Sequence, residues 1–313
     1  MNDDPLTPST IEAPPKVLIY GPPGVGKSTI AATIPNAIVL HGEDGTKTIP
    51  TVRLRSIKRP DSYMPATFGD VLAMLMRVRD DDAFARFGTL VIDTIDGIEA
   101  LAISLILHES GSKSLNEVGG GWGNGAQRLF ESYRELMLVL EQIQAKRRMT
   151  VVITAHATVA EQGNPTGDNF SQFVPAIGKK SWPLLFGWCD AVLLAAYDMK
   201  VDDGKMLLTG ERSLKTTAGN GWAAKNRYGF PPSIPLKRDD GWAEVQVYLD
   251  APKRIRAEVE ALTAKCEPEL RTKLLTWLAA AGLNASELAV RQAAIIDRLK
   301  VTTAKAKPKE VAA

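Results

Sequence analysis

The octapeptide GPPGVGKS at residues 21–28 constrains the fold of this chain more than any other segment. It directly follows the apolar run Val17–Tyr20 and leads into Ser28–Ile34, a segment that can begin a helix. Glycines allow successive backbone N–H groups to turn inward, and the N-terminus of a helix adds partial positive charge. A GxxxxGK[ST] turn between a strand and a helix therefore predicts a loop that binds phosphate groups. The alternative is a glycine-rich turn that has this spacing by chance.

The loop and the first helical residues are expected to enclose a nucleoside triphosphate. The Lys27 ammonium would reach the β- and γ-phosphates, and the Ser28 hydroxyl would bind Mg²⁺. The predicted nucleotide-binding residues are Gly21, Pro22, Pro23, Gly24, Val25, Gly26, Lys27, Ser28 and Thr29. We therefore expect ATP and Mg²⁺ as cofactors.

A second apolar run, Thr89–Ile92, ends in the carboxylate of Asp93. P-loop sites use such a strand end to hold the magnesium ion, directly or through water. Apolar strands that end in Asp are common, so this interpretation depends on the loop at residues 21–28. We predict Ser28 and Asp93 as the metal-binding residues.

Short apolar runs alternate with helical patterns from Lys16 to about Asp250. A repeat of apolar residues from Leu129 to Ile143 predicts an amphipathic helix, and Thr67–Asp70 predicts a capping box before a helix at Val71–Val78. Strands that alternate with crossover helices predict an α/β fold with a mainly parallel central sheet and helices on both faces. The predicted strands are Val17–Tyr20, Ala37–Leu40, Val52–Ile57, Thr89–Ile92, Thr150–Thr154 and Ala191–Ala196.

Composition changes along the chain predict its organisation. Residues 1–15 are rich in proline, which predicts a flexible N-terminal arm. We expect residues 16–250 to form the ATPase domain. We expect residues 251–300 to form a small helical region with breaks at Pro268 and Gly282. We expect residues 301–313 to form a disordered basic tail.

The composition excludes several classes of protein. The chain is 45% hydrophobic and 24% charged, with 38 basic and 36 acidic residues, as in an ordinary globular protein. No stretch approaches the ~18 apolar residues that a membrane span needs, and the N-terminus has no secretory signal. Cys189 and Cys266 are far apart, which argues against a disulfide framework or a zinc site. We expect a cytoplasmic protein with no membrane contact.

Three further motifs stand in order along the chain. HGEDG at 41–45 follows the run Ala37–Leu40, Ala155-His156 follows Thr150–Thr154, and KNRYG occupies 225–229. With the P-loop and Asp93, these motifs resemble the RecA/RadA recombinase superfamily, and most of all phage-encoded RecA-like ATPases of single-strand annealing and recombination. The resemblance covers Lys16 to about Pro235. Thr94 stands where AAA+ ATPases usually carry a Glu.

This resemblance implies roles for particular residues. Glu43 would be the general base that polarises the attacking water, with Asp44 as the alternative, and His156 would sense the γ-phosphate. KNRYG is similar to the KNRFG motif of bacterial RadA, so Lys225 and Arg227 would reach the nucleotide of a neighbouring subunit. The active site would then be complete only in a homo-oligomer, a ring or a filament. The alternatives are solvated loop acids, a structural histidine and surface cations.

The resemblance also implies contact with single-stranded DNA through two aperiodic segments, residues 109–125 and 157–178. Aromatic faces beside cations suit such binding. The candidate DNA-binding residues are Lys113, Trp122, Phe170, Phe173, Lys179 and Lys180. The alternative is that the aromatic residues fix these loops to the domain.

The function that follows is an ATPase that DNA stimulates and that acts on single-stranded DNA in phage recombination or annealing. If the protein is phage-encoded, it would act inside a bacterial host cell. A single-strand DNA-binding protein is a further expected partner. Three rival functions are an AAA+ helicase loader or replication motor, a small-molecule P-loop kinase and a nucleotide-dependent binding module with little turnover.

Overall fold

The computed structural model describes residues 13–305 apart from 44, 46–48, 165–166, 203–204, 220 and 238–240. The chain forms two compact units. The larger comprises Ala13–Asn226 and Pro231–Glu244, and the smaller comprises Arg227–Phe230 and the described residues from Val245 onward. The domain division at residue 250 stays a prediction. Among the residues described, no helix is long and apolar enough to cross a bilayer.

A single sheet forms the centre of the larger unit. Its described strands are β1 Lys16–Gly21, β2 Ala37–His41, β3 Thr89–Asp93, β4 Thr150–Gln162, β5 Phe170–Pro175, β6 Ala191–Asp202, β7 Lys205–Lys215, β8 Lys225–Asn226 and β9 Ser233–Pro235. They run in the order β2-β3-β4-β1-β6-β7-β9, with β5 paired to β4 and β8 paired to β6. The five strands from β2 to β6 in this order are mutually parallel, and each of the remaining strand pairs is antiparallel.

Helices cover both faces of the sheet. Alternate residues of β1, such as Leu18 and Tyr20, belong to the large core that also contains apolar residues of four helices. The helix after the P-loop packs against β1, β3 and β4 on the other side, over buried residues such as Val17 and Ile19. The helices of this unit are α1 Lys27–Ala32, α2 Phe68–Asp80, α3 Ile95–Ser110, α4 Asn124–Arg147 and α5 Trp182–Trp188. The predicted fold class, an α/β fold with a mainly parallel central sheet and helices on both faces, is confirmed.

Two segments differ from the predictions. Residues 52–57 form no strand but only one bridge between Arg53 and Val39, because the N–H groups of Ser56 and Ile57 bond to Ser62 and Asp70 instead of to a neighbouring strand. Residues 157–178 are not an aperiodic loop: β4 continues to Gln162 and returns as β5 in an antiparallel hairpin. Most side chains of this hairpin are exposed, so its sequence lacks the apolar alternation of a covered strand.

The capping box predicted at Thr67–Asp70 is half correct. The Thr67 hydroxyl accepts the Asp70 N–H at 3.2 Å, which begins α2 as expected. The Asp70 carboxylate does not return to Thr67. It accepts bonds from the Ser56 hydroxyl and from the backbone N–H groups of Ile57, Lys58 and Ala66, at 2.5 to 3.1 Å. Asp70 thereby fixes the segment that replaces the predicted strand.

The smaller unit contains a helical core. Its helices are α6 Ala243–Thr263, whose first two residues belong to the larger unit, α7 Pro268–Ala279 and α8 Ala285–Lys305. Pro268 occupies the first turn of α7, and Gly282 adopts a φ of 60° after it, as the predicted breaks require. Helix α8 extends into the segment predicted as a tail.

At the other end of the chain, Gln144 and Val151 donate to carbonyls of Pro14 and Pro15, so the last residues of the predicted arm are held in place.

Candidate functional site

The P-loop connects the end of β1 to the start of α1. Gly24 and Gly26 have φ values of 77° and 102°, a left-handed conformation that favours glycine and turns the backbone around the loop. The Lys27 side chain is buried, and its Nζ donates to the carbonyl oxygens of Gly21 and Pro22 at 3.0 Å each. The ammonium therefore lies against its own loop. The first turn of α1 presents Ser28 and Thr29 at the surface of this loop.

The order of the strands brings Asp93 to the same edge of the sheet. β4 lies between β1 and β3, with His156 opposite Gly21, and Asp93 lies opposite His41 at the end of β2. Asp93 is 1% exposed. The Thr154 hydroxyl donates to its Oδ1, whereas Oδ2 is buried and has no hydrogen-bond partner in the part of the chain that the structure describes. A buried carboxylate oxygen without a partner fits a cation ligand.

Three side chains form a connected group beside the P-loop. His156 Nδ1 lies 2.7 Å from Asp96 Oδ2, and His156 Nε2 lies 3.7 Å from Glu43 Oε1. Asp96 Oδ1 also accepts the backbone N–H of His156 at 2.9 Å. The structure thus places two of the predicted catalytic candidates, Glu43 and His156, side by side. The alternative base, Asp44, lies outside the described residues.

The site combines burial with a concentration of charge. Burial lowers the pKa of the Lys27 ammonium, and the carboxylates of Asp93, Asp96 and Glu43 act in the opposite direction. Burial raises the pKa of the Glu43 carboxyl, and the carboxylates of Asp96 and Asp93 raise it further, against the effect of His156 and Lys27. A carboxyl with a raised pKa holds a proton more strongly than an exposed one, which suits a group that accepts a proton during a reaction.

Asp96 is a site residue that sequence reasoning missed. It lies in the first turn of α3, which Thr94 caps by accepting the Gly97 N–H at 3.4 Å. The available signal was the spacing Asp93-Thr-Ile-Asp96, which places a second carboxylate one helical turn beyond the strand end.

Two further residues contact the P-loop from outside. Arg212 Nη1 donates to the carbonyl of Val25, and the Tyr197 hydroxyl donates to the carbonyl of Gly24, at 3.0 Å each. A Cβ atom on Gly26 would lie 2.5 Å from Arg212 Nη1, so the guanidinium occupies the space above this glycine. No sequence motif marks either residue, because both contacts join segments that are distant in the chain.

Lys225, the first residue of KNRYG, lies in the larger unit and away from the P-loop. Lys225 pairs with Val192, which is opposite Leu18, about 10 Å along the strand before Gly21. Lys225 Nζ donates to the carbonyls of Phe186 and Gly187 at 2.9 Å each. Arg227 is exposed and belongs to the smaller unit.

The rest of this motif is bound within the smaller unit. Tyr228 is buried, and its carbonyl accepts the Ala285 N–H at 2.8 Å. The carbonyl of Gly229 accepts the Ser286 hydroxyl at 3.2 Å. The start of α8 therefore fixes the end of KNRYG.

The candidate DNA-binding residues are mostly exposed. Trp122 is 98% exposed on a glycine-rich loop before α4, so it does not fix that loop to the domain. Phe170 and Phe173 lie on β5 with 37% and 43% of their surfaces exposed. Lys113 and Lys179 are exposed, and Lys180 bonds to Gln127 at the start of α4. Lys180 thus connects the segment after β5 to the helix that begins beside Trp122.

Comparison with solved structures gives distant similarities. The RadB recombinase is 14% identical, with a TM-score of 0.38, over 72% of this chain and 90% of RadB. The flagellar accessory protein FlaH from Methanocaldococcus jannaschii is 12% identical, with a TM-score of 0.34, over 72% of this chain and 86% of FlaH. Comparison with curated proteins gives no significant match. The family described as an AAA domain matches residues 13–228, well over half of the chain. The chain therefore belongs to this AAA domain family.

Proposed function

We propose that the protein hydrolyses ATP at the carboxyl edge of its sheet and couples this reaction to single-stranded DNA. The main supporting observation is that Asp93 presents a buried, unpartnered carboxylate oxygen at the edge that carries the P-loop, Glu43 and His156. In this proposal, backbone N–H groups from Gly21 to Thr29 hold the triphosphate. Lys27 leaves the carbonyls of its own loop to bind the β- and γ-phosphates.

Magnesium would be held by Ser28 and Asp93. The bound ion would neutralise charge on the phosphate oxygens. The donors fit the ion, because a hydroxyl and a carboxylate are the hard oxygen ligands that Mg²⁺ prefers.

Glu43 would act as the general base for the attacking water, and His156 would sense the γ-phosphate. Their positions support these roles, because both lie next to Lys27 and Asp93 at the end of the parallel strands. Burial raises the pKa of the Glu43 carboxyl, which makes its carboxylate a stronger proton acceptor than that of an exposed glutamate.

We also propose that Lys225 and Arg227 serve a neighbouring subunit. Lys225 lies about 10 Å before the P-loop along the sheet, so it cannot serve the adjacent nucleotide without leaving its own strand. A cation supplied to the next subunit would stabilise charge on the γ-phosphate during transfer. The active site would then require a ring or a filament.

Single-stranded DNA would bind along Lys113, Trp122, Phe170, Phe173, Lys179 and Lys180. A 98% exposed tryptophan offers both ring faces to bases, and Lys180 joins this loop to the second segment. We place this activity in phage recombination or strand annealing, together with a single-strand DNA-binding protein.

One experiment tests the central proposal. The ATPase rate would be measured with and without a single-stranded oligonucleotide, beside light scattering with a non-hydrolysable ATP analogue. We expect turnover that rises with DNA, and a larger assembly with the analogue. Lys27→Ala should abolish nucleotide binding, and unchanged affinity in this variant would remove the P-loop assignment.

The family match supports a second candidate, an AAA-type motor that acts on a protein partner. This function predicts ATPase activity that DNA does not stimulate and that a partner protein does. It also predicts a water-activating Glu after Asp93, where this chain has Thr94.

A further inference from the structure

We infer that Asp96 is a positioning residue that orients the His156 ring so that Nε2 faces Glu43 and receives its proton during turnover. This inference rests on the proposed ATPase function. Asp96 is separate from the P-loop, from the proposed metal-binding residues Ser28 and Asp93, and from the proposed general base.

Asp96 contacts His156 at two points. One carboxylate oxygen accepts the backbone N–H of His156 at 2.9 Å, and the other lies 2.7 Å from ring atom Nδ1. The first contact fixes β4 against the start of α3, and the second fixes the plane of the ring. The two contacts act together, because the carboxylate that contacts the ring is itself held in place by the backbone N–H of the same residue.

These contacts determine the tautomer of His156. An ionised carboxylate only accepts hydrogen bonds, so the ring proton lies on Nδ1 and the lone pair of the neutral ring lies on Nε2. Nε2 faces Glu43 Oε1 at 3.7 Å. The lone pair of Nε2 is therefore directed toward the carboxylate of the proposed general base, and it is free to receive a proton from Glu43.

This arrangement gives a balanced route for hydrolysis. Water gives one proton to the Glu43 carboxylate as its oxygen bonds to the γ-phosphorus, and the bond to the β,γ-bridging oxygen breaks. Glu43 passes that proton to Nε2, and the imidazolium is stabilised by the Asp96 carboxylate. The proton leaves for solvent after phosphate is released, which restores the starting state.

Partial shielding supports this role. The side chains of His156 and Asp96 are 26% and 19% exposed, so water competes only in part for their hydrogen bond. Glu43 is 37% exposed and can still reach an attacking water.

The test compares Asp96→Ala and Asp96→Asn with Glu99→Gln as a matched control. Glu99 lies one turn further along α3 and bonds to Tyr133 and Gly178 instead of His156. The chain has three histidines, so nitrogen NMR of ¹⁵N-histidine-labelled protein can resolve the His156 ring. His156→Gln assigns its signals, and thermal unfolding confirms that each variant is folded.

We expect Asp96→Ala to shift the His156 ring away from the Nδ1–H form and to lower kcat about 10- to 100-fold, with nucleotide affinity within about twofold of the wild type. Asp96→Asn should retain part of the activity, and Glu99→Gln should change neither readout. Unchanged His156 signals, or a shifted ring with wild-type kcat, would overturn the inference. Wild-type protein without ATPase activity would instead contradict the proposed function, while the NMR comparison would still report the contact.

Discussion

Tyr197 and Arg212 are direct partners across β6 and β7, and both side chains end on carbonyl groups of the P-loop. P-loop N–H groups turn inward toward phosphate, so carbonyls that accept bonds from outside help to hold that orientation. The β6–β7 hairpin is therefore part of the nucleotide site although it carries no P-loop motif.

Arg212→Ala should weaken nucleotide binding about 5- to 30-fold, since a charge-assisted hydrogen bond to a buried carbonyl contributes about 1–2 kcal/mol. Titration of a fluorescent ATP analogue measures this effect. Arg212→Lys should recover part of the affinity. Equal affinities for all three proteins would show that the loop keeps its shape without this contact.

Arg227→Ala should leave nucleotide binding intact and impair turnover, because the arginine would act on the nucleotide of a neighbour. A mixture of Arg227→Ala and Glu43→Gln should regain activity, since about a quarter of the interfaces in an equal mixture combine two intact halves. Steady-state ATPase assays on the separate and mixed variants measure this. Arg254→Ala, at an exposed arginine of α6, is the control. A mixture no more active than its components would contradict the shared site.

Trp122→Ala combined with Phe173→Ala should remove most of the stimulation of ATPase activity by DNA, with the DNA-free rate retained. Each stacked base contributes about 1–3 kcal/mol, so single-strand affinity should fall at least tenfold. Fluorescence anisotropy of a labelled oligonucleotide measures the affinity. Trp277→Ala, at a half-exposed tryptophan of the smaller unit, should have little effect. Full stimulation in the double variant would move the DNA site elsewhere.

Asp70→Asn should lower the free energy of unfolding by about 1–3 kcal/mol, because the buried carboxylate accepts four hydrogen bonds. Burial alone would raise the pKa of Asp70, but the bonds from Ser56 and three backbone N–H groups outweigh burial and lower it. A folded pKa below the unfolded value stabilises the protein above the unfolded value of about 4, and this stabilisation is lost as the pH falls further.

The difference in unfolding free energy between wild type and Asp70→Asn should therefore shrink below about pH 4. Urea titrations from pH 7 to pH 3 check this, with the exposed Asp61→Asn as the control. A difference that stays constant over this range would mean that the carboxylate charge does not carry the stabilisation.

The contrast between Asp93 and Arg212 shows how far the sequence predicts the site. The P-loop and Asp93 were predictable because each depends on a local pattern, a strand followed by a glycine turn or by a carboxylate. Arg212 was not, because its contact with Val25 joins residues 187 positions apart and depends on β6 and β7 lying beside β1. His156 was predictable because it follows the apolar run Thr150–Thr154, whereas its pairing with Asp96 depends on β3 and β4 being neighbours.

The hydroxyl of Tyr20, the residue before Gly21, lies 3.0 Å from the carbonyl of Phe173 and 2.6 Å from that of Ala223. One hydroxyl hydrogen cannot fully serve two acceptors, so the two carbonyls compete for it. The last residue before the phosphate loop is therefore tied, through a single side chain, both to β5 and to the segment that leads into β8.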